Sequence, residues 1–509
     1  PNKVMTKLVR TIQEEAEPLR DEEVKRATAE LPAAEFKEAD TFSAPSCQNE
    51  ELLPITVSSL GDEQFRRDYN IKYAYVTGAM YRAIASKELV VRIGKAGLMG
   101  YFGSGGLKID EIEEAIAYIQ RELRNGEAYG MNLLSNPNNP NKEEETVDLY
   151  IKYGVRNIEA AAYISINRPL VRYRAHGLSR AADGTVTIAN RVMAKVSRPE
   201  VAEAFLSPAP ERIVKQLLEQ HVITHEQAEL LREIPMADDI CVEADSGGHT
   251  DHGVAYVLMP AMLKLRDDMM SKHGYKKRVR VGAAGGIGTP EAAAAAFMMG
   301  ADFILTGSIN QCTVEAGTSD SVKDLLSKMN VQDTESAPAG DMFELGARVQ
   351  VLRKGLFFPA RANKLYDLYR HYNSLEEIDE KTRQQIQDRY FGRTFDSIYE
   401  DIKRYYSSDA INKLEQNPKS KMAAVFKWYF RYTTELALKG DERHRVDYQI
   451  HCGPALGAFN QWVKGTRLEA WQNRHVDEIA EMVMQGTASL LKERFGSFSR
   501  RQTERVLVR

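Results

Sequence analysis

Three apolar segments in the middle of the chain each run directly into a glycine-rich turn. The turns contain, in chain order, Gly247-Gly248-His249, Gly285-Gly286 and Gly307-Ser308. In β/α barrels the carboxyl ends of the strands carry the active-site side chains, and the loops after the last two strands commonly bind phosphate. The three segments therefore predict the last three strands of a phosphate-binding barrel, with a titratable ring at the end of the first.

Earlier in the chain, from about residue 73, short apolar segments alternate with helix-like segments at roughly thirty-residue intervals. This rhythm is typical of parallel β/α units. Strands are predicted in segments 74–80, 96–103, 129–134, 157–163, 170–174 and 188–195. The predicted fold class is therefore an α/β TIM barrel of eight strands.

Two stretches break this rhythm. Residues 207–235 predict a helix, a turn and a second helix that opens with a capping box at Thr224 and Gln227. We expect this insertion to lie over the barrel mouth or against a partner. After about residue 319, the segments, including 334–353, favour helices or loops. The predicted domains are an N-terminal arm (1–70), the barrel with its insertion (71–320) and a helical C-terminal region packing on the barrel (321–509).

The turn at Gly285 and Gly286 has the features of an anion-binding loop. Glycine lets the backbone approach an anion and present successive N–H groups to it. Thr289 can cap the next helix and Pro290 suits its first position, so the positive end of the helix dipole faces the turn. Gly307 and Ser308 would add further N–H donors. The alternative is a pair of tight strand-to-helix turns without a ligand.

His249 is the candidate catalytic residue because a histidine can donate a proton near neutral pH. The alternative is a structural histidine held in a turn, and Asp245 could either orient the ring or cap that turn. His252 follows too closely in a non-helical segment to indicate a metal site, so no metal is expected.

Four more residues stand at the ends of predicted strands. The small-residue turn containing Ala79 and Met80 would let a flat ring lie against the backbone, or it is a plain turn. Asn132 could bind the edge of a heterocycle or close its own turn. Lys195 could reach a phosphate or a ring carbonyl, or form a salt bridge on the barrel rim.

The bulk properties exclude several classes of protein. A net charge of −4 over 509 residues does not indicate a nucleic-acid-binding protein. The four cysteines are far apart, which argues against a zinc site or a disulfide framework and fits a reducing cytoplasm. The longest apolar run, residues 292–299, is too short to span a bilayer, and the charged first residues do not resemble an export signal. A cytoplasmic location is expected.

Taken in order, these motifs resemble the flavin-dependent nitronate monooxygenase and flavin-type enoyl-acyl-carrier-protein reductase superfamily over residues 70–320. The segments that contribute most are 78–80, 96–100, 130–133, 243–249, 283–287 and 299–308. Longer segments at 194–202, 234–240, 311–319 and 453–460 extend the similarity over nearly the whole chain. There it resembles the trans-acting enoyl reductases of trans-acyltransferase polyketide synthases and the related reductase subunit of polyunsaturated fatty acid synthases.

The resemblance implies an FMN-binding barrel that uses NADPH to reduce an α,β-unsaturated thioester on an acyl carrier protein. Gly285, Gly286, Gly307 and Ser308 would hold the FMN phosphate. Ala79, Met80, Asn132 and Lys195 would line the isoalloxazine ring. Gly247, Gly248 and His249 would lie at its reactive face, with His249 or water supplying a proton. The small flavin enoyl reductases lack the insertion at 207–235 and the long helical tail, so no substrate-side residues are transferred to those regions.

Three other functions stay open at this stage. They are nitronate oxidation with FMN and oxygen, a non-catalytic subunit that docks carrier proteins, and a phosphate-binding isomerase. The insertion and the basic last twenty residues are candidate contacts for an acidic carrier protein, or they are an ordinary helical cap and a solvated face. Neither a nucleic-acid nor a membrane partner is expected, and the chain is a monomer or a homodimer.

Overall fold

The computed structural model describes residues 55–136 and 139–506, with side chains up to residue 497. The predicted arm up to residue 54 lies outside the described residues. The strands are β1 (Tyr75–Thr77), β2 (Met99–Phe102), β3 (Gly130–Leu134), β4 (Asn157–Ala161), β5 (Ser179–Arg180), β6 (Val186–Thr187), β7 (Arg191–Val196), β8 (Asp239–Glu243), β9 (Gly248–His249), β10 (Arg280–Ala284), β11 (Ile304–Thr306), β12 (Thr334–Pro338) and β13 (Arg348–Leu352).

The helices surround and extend this framework. They are α1 (Glu63–Tyr69), α2 (Lys87–Lys95), α3 (Ile109–Glu122), α4 (Pro140–Lys152), α5 (Arg168–Ala175), α6 (Pro199–Leu206), α7 (Glu211–Glu219), α8 (His225–Glu233), α9 (Ala255–His273), α10 (Pro290–Met298), α11 (Asp320–Leu326), α12 (Phe358–His371), α13 (Glu380–Ile386), α14 (Phe395–Tyr405), α15 (Ser408–Gln416), α16 (Pro418–Lys439), α17 (Pro454–Trp462) and α18 (Val476–Val506). Among the described residues, none of these helices combines the length and the apolar character needed to cross a membrane.

Eight parallel strands close into a barrel, which confirms the predicted fold class. Their order around the barrel is β1, β2, β3, β4, β7, β8, β10 and β11, and β11 pairs with β1 to close it. The short β5 and β6 form a separate antiparallel hairpin before β7. Because every barrel strand runs in the same direction, all eight carboxyl ends meet at one face.

The last helix of the chain belongs to the ring of helices around the barrel. Helix α18 packs between α10 and α2, the position of a helix that would directly follow β11. The Thr487 hydroxyl lies 3.4 Å from the carbonyl oxygen of Pro290, at the start of α10. Residues 320–475, which we call the appended region, therefore form an excursion between the last barrel strand and the last barrel helix.

Aromatic and charged side chains fill the amino-terminal end of the barrel. Phe65 of α1 stacks on Phe303 with ring centroids 4.3 Å apart. The Tyr69 hydroxyl donates to Asp239 at 2.5 Å, and the Arg280 guanidinium donates to the same carboxylate at 2.6 Å. Since this end is closed by α1, a ligand cavity is expected at the opposite end.

The appended region has its own hydrophobic core and a small sheet. Aromatic side chains from several of its helices form that core, including Phe343, Phe358, Phe426, Tyr429 and Phe430. Strands β12 and β13 are antiparallel, and β13 also pairs with β9, which lies in the loop after barrel strand β8. The prediction of helices or loops over 334–353 was therefore wrong, because these strands are too short and too far apart to give a clear periodic signal.

Two other predictions were also wrong. Segment 170–174 lies in helix α5 rather than in a strand, because Asn167 caps the helix by accepting from the Leu170 N–H and a proline follows at the first turn. Helices α7 and α8 do not cover the barrel mouth. They follow α6, which returns from the carboxyl ends of the strands, and Arg180 of the β5–β6 hairpin pairs with Glu233 of α8. The insertion thus packs on the outside of the barrel beside α5, where Arg168 also donates to Gln220 just after α7 at 3.0 Å.

Candidate active site

A cavity of about 730 Å³ opens at the carboxyl ends of the barrel strands. The loops after β1, β2, β3, β8, β10 and β11 form its walls, and α16 together with residues 340–342 and 449–455 of the appended region forms its roof. This volume lies in the range of about 300–1,000 Å³ that is usual for small-molecule and cofactor sites. No residue between 196 and 242 lines the cavity, so the insertion has no part in it.

The structure brings nearly all of the predicted site residues together at this cavity. Those that line it are Ala79, Met80, Lys195, Gly247, Gly248, His249, Gly285, Gly286, Gly307 and Ser308. Asn132 does not. Its buried side-chain amide donates to the backbone carbonyl of Glu159 at 3.0 Å. Its backbone carbonyl accepts from the Tyr150 hydroxyl at 2.6 Å. Asn132 therefore joins β3 to β4 and α4 behind the cavity wall.

One corner of the cavity presents a group of unpaired backbone donors. Within the described residues, the N–H groups of Gly285, Gly286, Gly307 and Ser308 donate to no protein acceptor. Gly285 and Gly286 have φ angles of 84° and 74°, which glycine adopts without the penalty that a side chain would impose. A Cβ added at Gly307 would meet no atom within 4 Å. The corner is therefore open and rich in N–H donors, as an anionic ligand requires.

Two helix starts border the same corner. Helix α10 begins at Pro290, with the Thr289 hydroxyl accepting from the Ala292 N–H. The Gly453 N–H, at the start of α17, donates to the Ser308 hydroxyl oxygen at 2.8 Å. Because that oxygen accepts this bond, the Ser308 O–H is left to donate to a ligand. The arrangement combines helix dipoles with free donors and fits a phosphate group.

A buried lysine between two carboxylates lies deeper in the cavity. The Lys195 ammonium is 3.6 Å from Glu159 and 3.3 Å from Glu243, and Glu159 also accepts from the Ala79 N–H at 2.9 Å. Burial lowers the pKa of Lys195, but the charges of Glu243 and Glu159 outweigh burial, so the net shift is upward. Burial raises the pKa of Glu159. Lys195 is therefore a charged group that lines the cavity and is held by salt bridges at the same time.

The backbone around His249 is fixed by the appended region. Gly248 and His249 form β9, in which His249 pairs with Val349 and Gly248 pairs with Gln350. The His249 ring is 45% exposed, and its Nε2 lies 3.0 Å from the Asp341 carboxylate. Burial lowers the pKa of His249, but the hydrogen bond to Asp341 together with the charges of Asp341 and Glu243 outweighs burial, so the pKa is raised.

Asp245, the predicted partner of His249, is engaged elsewhere. Its carboxylate accepts from Thr250 at 2.9 Å and from the Gln350 side-chain amide at 3.0 Å. Of the two roles left open for Asp245, the structure supports capping of the turn. Asp341, which follows His249 by 92 residues, makes the contact with the His249 ring instead.

Sequence reasoning missed Glu243, Asp341 and His451, which line the cavity, and Glu159, which pairs with Lys195. A carboxylate inside an apolar barrel strand was the available signal for Glu159. Asp341 and His451 lie in the appended region, where nothing in the local pattern indicated a site. Burial lowers the pKa of His451 to about 4, assisted by the nearby His249, so His451 is neutral at physiological pH.

Comparison with known proteins identifies the family. The sequence profile of nitronate monooxygenase matches residues 65–353. The chain belongs to the nitronate monooxygenase family. Within this family member, residues 372–448 also match the inserted helical domain of acyl-carrier-protein S-malonyltransferase. That second match covers helices α13 to α16, of which α16 forms part of the cavity roof.

Two curated relatives are similar to this chain over most of its length. Polyketide biosynthesis protein PksE of Bacillus subtilis is 58% identical over 497 residues, which are 98% of this chain and 63% of PksE. One subunit of the polyunsaturated fatty acid synthase of Thraustochytrium sp. is 45% identical over 425 residues, which are 82% of this chain and 28% of that relative. The chain thus spans less than two thirds of each of these relatives.

A solved structure matches over its full length. The crystal structure of the enoyl reductase domain of MlnA, from the macrolactin biosynthesis cluster of Bacillus amyloliquefaciens, is 53% identical with a TM-score of 0.85. The match covers 87% of this chain and 100% of that domain. Together with PksE and the fatty acid synthase component, it confirms the resemblance seen in the sequence.

Proposed function

We propose that this protein is an FMN-dependent, NADPH-consuming enoyl reductase. Its substrates would be α,β-unsaturated acyl thioesters carried on acyl carrier protein domains of a polyketide or polyunsaturated fatty acid synthase. The observation that carries the proposal is that one cavity holds both the free N–H groups at Gly285, Gly286, Gly307 and Ser308 and the ring of His249. The similarity to the MlnA enoyl reductase domain favours this reaction among those of the family.

The residues have distinct roles in the proposed reaction. The free N–H groups and the Ser308 hydroxyl would hold the FMN phosphate, while Ala79, Met80, Gly247 and Gly248 would contact the ring system. Lys195 would donate to a ring carbonyl from its fixed position between two carboxylates. Asn132 would support this wall through the backbone of Glu159. Bound FMN would supply hydride transfer between NADPH and the β-carbon.

His249 would supply the proton that completes the reduction. The α-carbon of the thioester receives this proton when the β-carbon receives hydride, so one NADPH and one proton are consumed for each double bond reduced. The raised pKa of His249 keeps its ring protonated at neutral pH more than an ordinary histidine would be. The ring then recovers a proton from solvent, which its partial exposure permits.

The first test is the visible absorbance of the purified protein. We expect flavin bands that bleach when NADPH is added without oxygen and return when an enoyl thioester such as crotonyl-carrier protein is added. Flavin bands that NADPH leaves unchanged, together with nitronate-dependent oxygen uptake, would instead indicate nitronate monooxygenase activity. A protein that takes up no flavin after reconstitution would favour the non-catalytic docking role.

A substitution at Gly307 tests the phosphate corner separately from folding. Alanine fits the protein there, because its Cβ would meet nothing within 4 Å and the φ angle is −130°. The methyl group would occupy the space of the phosphate and break charge-assisted hydrogen bonds worth about 1.5–3 kcal/mol each. We therefore expect Gly307→Ala to weaken FMN binding at least about tenfold, measured by fluorescence titration.

The control for this variant is Gly154→Asn. Gly154 lies in the turn before β4 with open space around its Cβ position, and its φ angle of 62° is one that asparagine tolerates. Both variants should leave the flavin-free protein folded, and only Gly307→Ala should lose FMN affinity. Equal FMN affinity in Gly307→Ala and the wild type would place the phosphate elsewhere.

The carrier protein would approach the cavity from the side of the appended region. Helices α7 and α8 line no part of the cavity, so the predicted carrier contact at residues 207–235 is not part of the proposal. Lys427 and Arg431 of α16 line the cavity roof and offer positive charge to an acidic partner. Turnover of carrier-bound substrate that does not change with salt concentration would argue against this electrostatic contact.

A further inference from the structure

We propose that Asp341 is the positioning residue for His249, so that the acid of the active site is completed by the appended region rather than by the barrel. The inference rests on the proposed function for the role of His249 as proton donor, and it adds the residue that sets the orientation and charge of the ring. Asp341 follows β12 and precedes the 3₁₀ turn Phe343–Leu345. Its carboxylate contacts the ring of His249.

The two partners are held at a fixed distance by a single hairpin. Asp341 lies in the connection between β12 and β13, and β13 pairs directly with His249 through Val349. The Thr250 N–H also donates to the Arg348 carbonyl, at 3.3 Å. The backbone of the histidine and the loop that carries the carboxylate therefore belong to the same sheet.

The loop that carries Asp341 is also packed tightly against helix α16. A Cβ added at Gly340 would come within 2.6 Å of the Cβ of Phe430 on α16, so only glycine allows this approach. Glu344, three residues beyond Asp341, pairs with Lys427 of the same helix at 2.8 Å. These contacts fix the Asp341 backbone against α16. They explain how a side chain in the loop between β12 and β13 can be held toward His249.

The hydrogen bond determines which ring nitrogen is available for chemistry. Nε2 faces the Asp341 carboxylate, which can only accept, so Nε2 carries a proton. Within the described residues, Nδ1 has no protein partner. Nδ1 is therefore the nitrogen that gains and gives up the transferable proton, while the Nε2–H group stays hydrogen-bonded to the Asp341 carboxylate. The carboxylate stabilises the imidazolium form and orients its donor at the same time.

The other charged groups near the ring act in known directions. Glu243 raises the pKa of His249, but less than the hydrogen bond to Asp341 does. The neighbouring His451 of the appended region is half-buried and neutral, and its Nδ1 would lie 3.8 Å from a Cβ added at Gly248. Partial desolvation raises the pKa of Asp341, but the hydrogen bond and the charge of His249 outweigh it, so the pKa is lowered. Asp341 is thus the charge with the largest upward effect on the ring.

The test is the titration of His249 in Asp341→Asn, followed by NMR of histidine-labelled protein. The His249 signal is assigned by its loss in His249→Gln. An opposite charge at hydrogen-bond distance shifts a pKa by about 1–3 units, so we expect the pKa of His249 to fall by at least about one unit. The fall in enoyl reduction with rising pH should move to lower pH by the same amount, with unchanged FMN affinity.

The matched control is Glu335→Gln, which removes an exposed carboxylate from β12 of the same hairpin without touching His249 or the contacts that fix Asp341. It should leave both the titration and the pH profile unchanged. A His249 that titrates in Asp341→Asn as it does in the wild type would overturn the inference, provided that thermal denaturation shows both proteins folded. If the wild type binds no flavin or reduces no enoyl thioester, the proposed function fails, while the NMR titration still decides whether Asp341 sets the state of the ring.

Discussion

Replacement of His249 by alanine is expected to lower steady-state enoyl reduction by about a hundredfold or more while flavin stays bound. General acid catalysis by a positioned side chain contributes about 10²–10⁴-fold, and His249 is the protonatable group of the cavity whose charged form is stabilised by Asp341. Rapid mixing separates the two halves of the reaction. NADPH should bleach the flavin absorbance at a near-normal rate, whereas its return on addition of an enoyl thioester should be slow.

His252→Asn is the matched control for this variant. His252 is in the same loop, has a φ angle of 56° and contacts Asp245 rather than Asp341, and asparagine tolerates such a backbone. We expect the control to keep most of its activity. If His249→Ala keeps near-normal turnover with bound flavin, the proton comes from solvent and the role assigned to His249 is wrong.

The pH dependence follows from the sign of the shift at His249. Its pKa is raised in the folded protein, so the protonated ring persists to higher pH than in an ordinary histidine. Turnover that needs this proton should therefore fall as pH rises through the raised pKa. The same interaction stabilises the folded state at low pH, and that contribution is lost over the same rise. Both effects should disappear in His249→Ala.

Local sequence was sufficient to predict the parts of the site that one turn can build. The N–H groups at Gly285, Gly286, Gly307 and Ser308 depend on the backbone of two short loops, and glycine marks such backbone in the sequence. His249 was predicted for the same reason, since it directly follows a strand and two glycines. These features need no information about residues that are distant in the chain.

The partners of these residues could not be predicted in this way. Asp341 and His451 reach His249 only because β13 of the appended region pairs with β9, a contact between segments about 100 residues apart. Neither residue lies in a pattern that distinguishes it from an ordinary polar side chain. The role of Asp245 stayed open for the same reason, because its neighbour Gln350 comes from the same distant strand.

The errors in the fold have related physical causes. Segment 170–174 is a short apolar run, which fits a buried strand or a buried helix equally well, although Asn167 and a proline at the helix start favoured the helix. The insertion at 207–235 was expected over the barrel mouth or against a partner. The barrel mouth is wrong, because α6 returns the chain from the carboxyl ends of the strands and α7 and α8 then pack on the outside of the barrel beside α5.

Replacement of Lys195 by methionine is expected to destabilise the protein by about 3–5 kcal/mol at neutral pH, the usual cost of leaving a buried charge without its partner. The Glu159 side chain is only 1% exposed, and the Lys195 side chain 14%. Without the ammonium, Glu159 would face Glu243 with no compensating charge. Urea denaturation, monitored by circular dichroism, measures the loss.

The loss should depend on pH with a defined sign. The pKa of Glu159 is already raised by burial, and removal of Lys195 takes away the charge that lowers it most, so the pKa rises further. The folded state of the variant then binds a proton that the unfolded state does not, and its stability increases as pH falls toward that pKa. Lys195→Met should therefore be closer to the wild type at pH about 5 than at pH about 7.

A triple variant, Lys195→Met with Glu159→Gln and Glu243→Gln, separates charge from shape. The amide that replaces the Glu159 carboxylate would still accept from the Ala79 N–H through its oxygen, so the loop after β1 keeps its anchor. We expect the triple variant to recover most of the lost stability, because no unpaired charge remains. If Lys195→Met alone is as stable as the wild type at neutral pH, the two carboxylates do not depend on the lysine. Lys195 would then be free to move toward a ligand, and its proposed fixed position beside the flavin ring would be wrong.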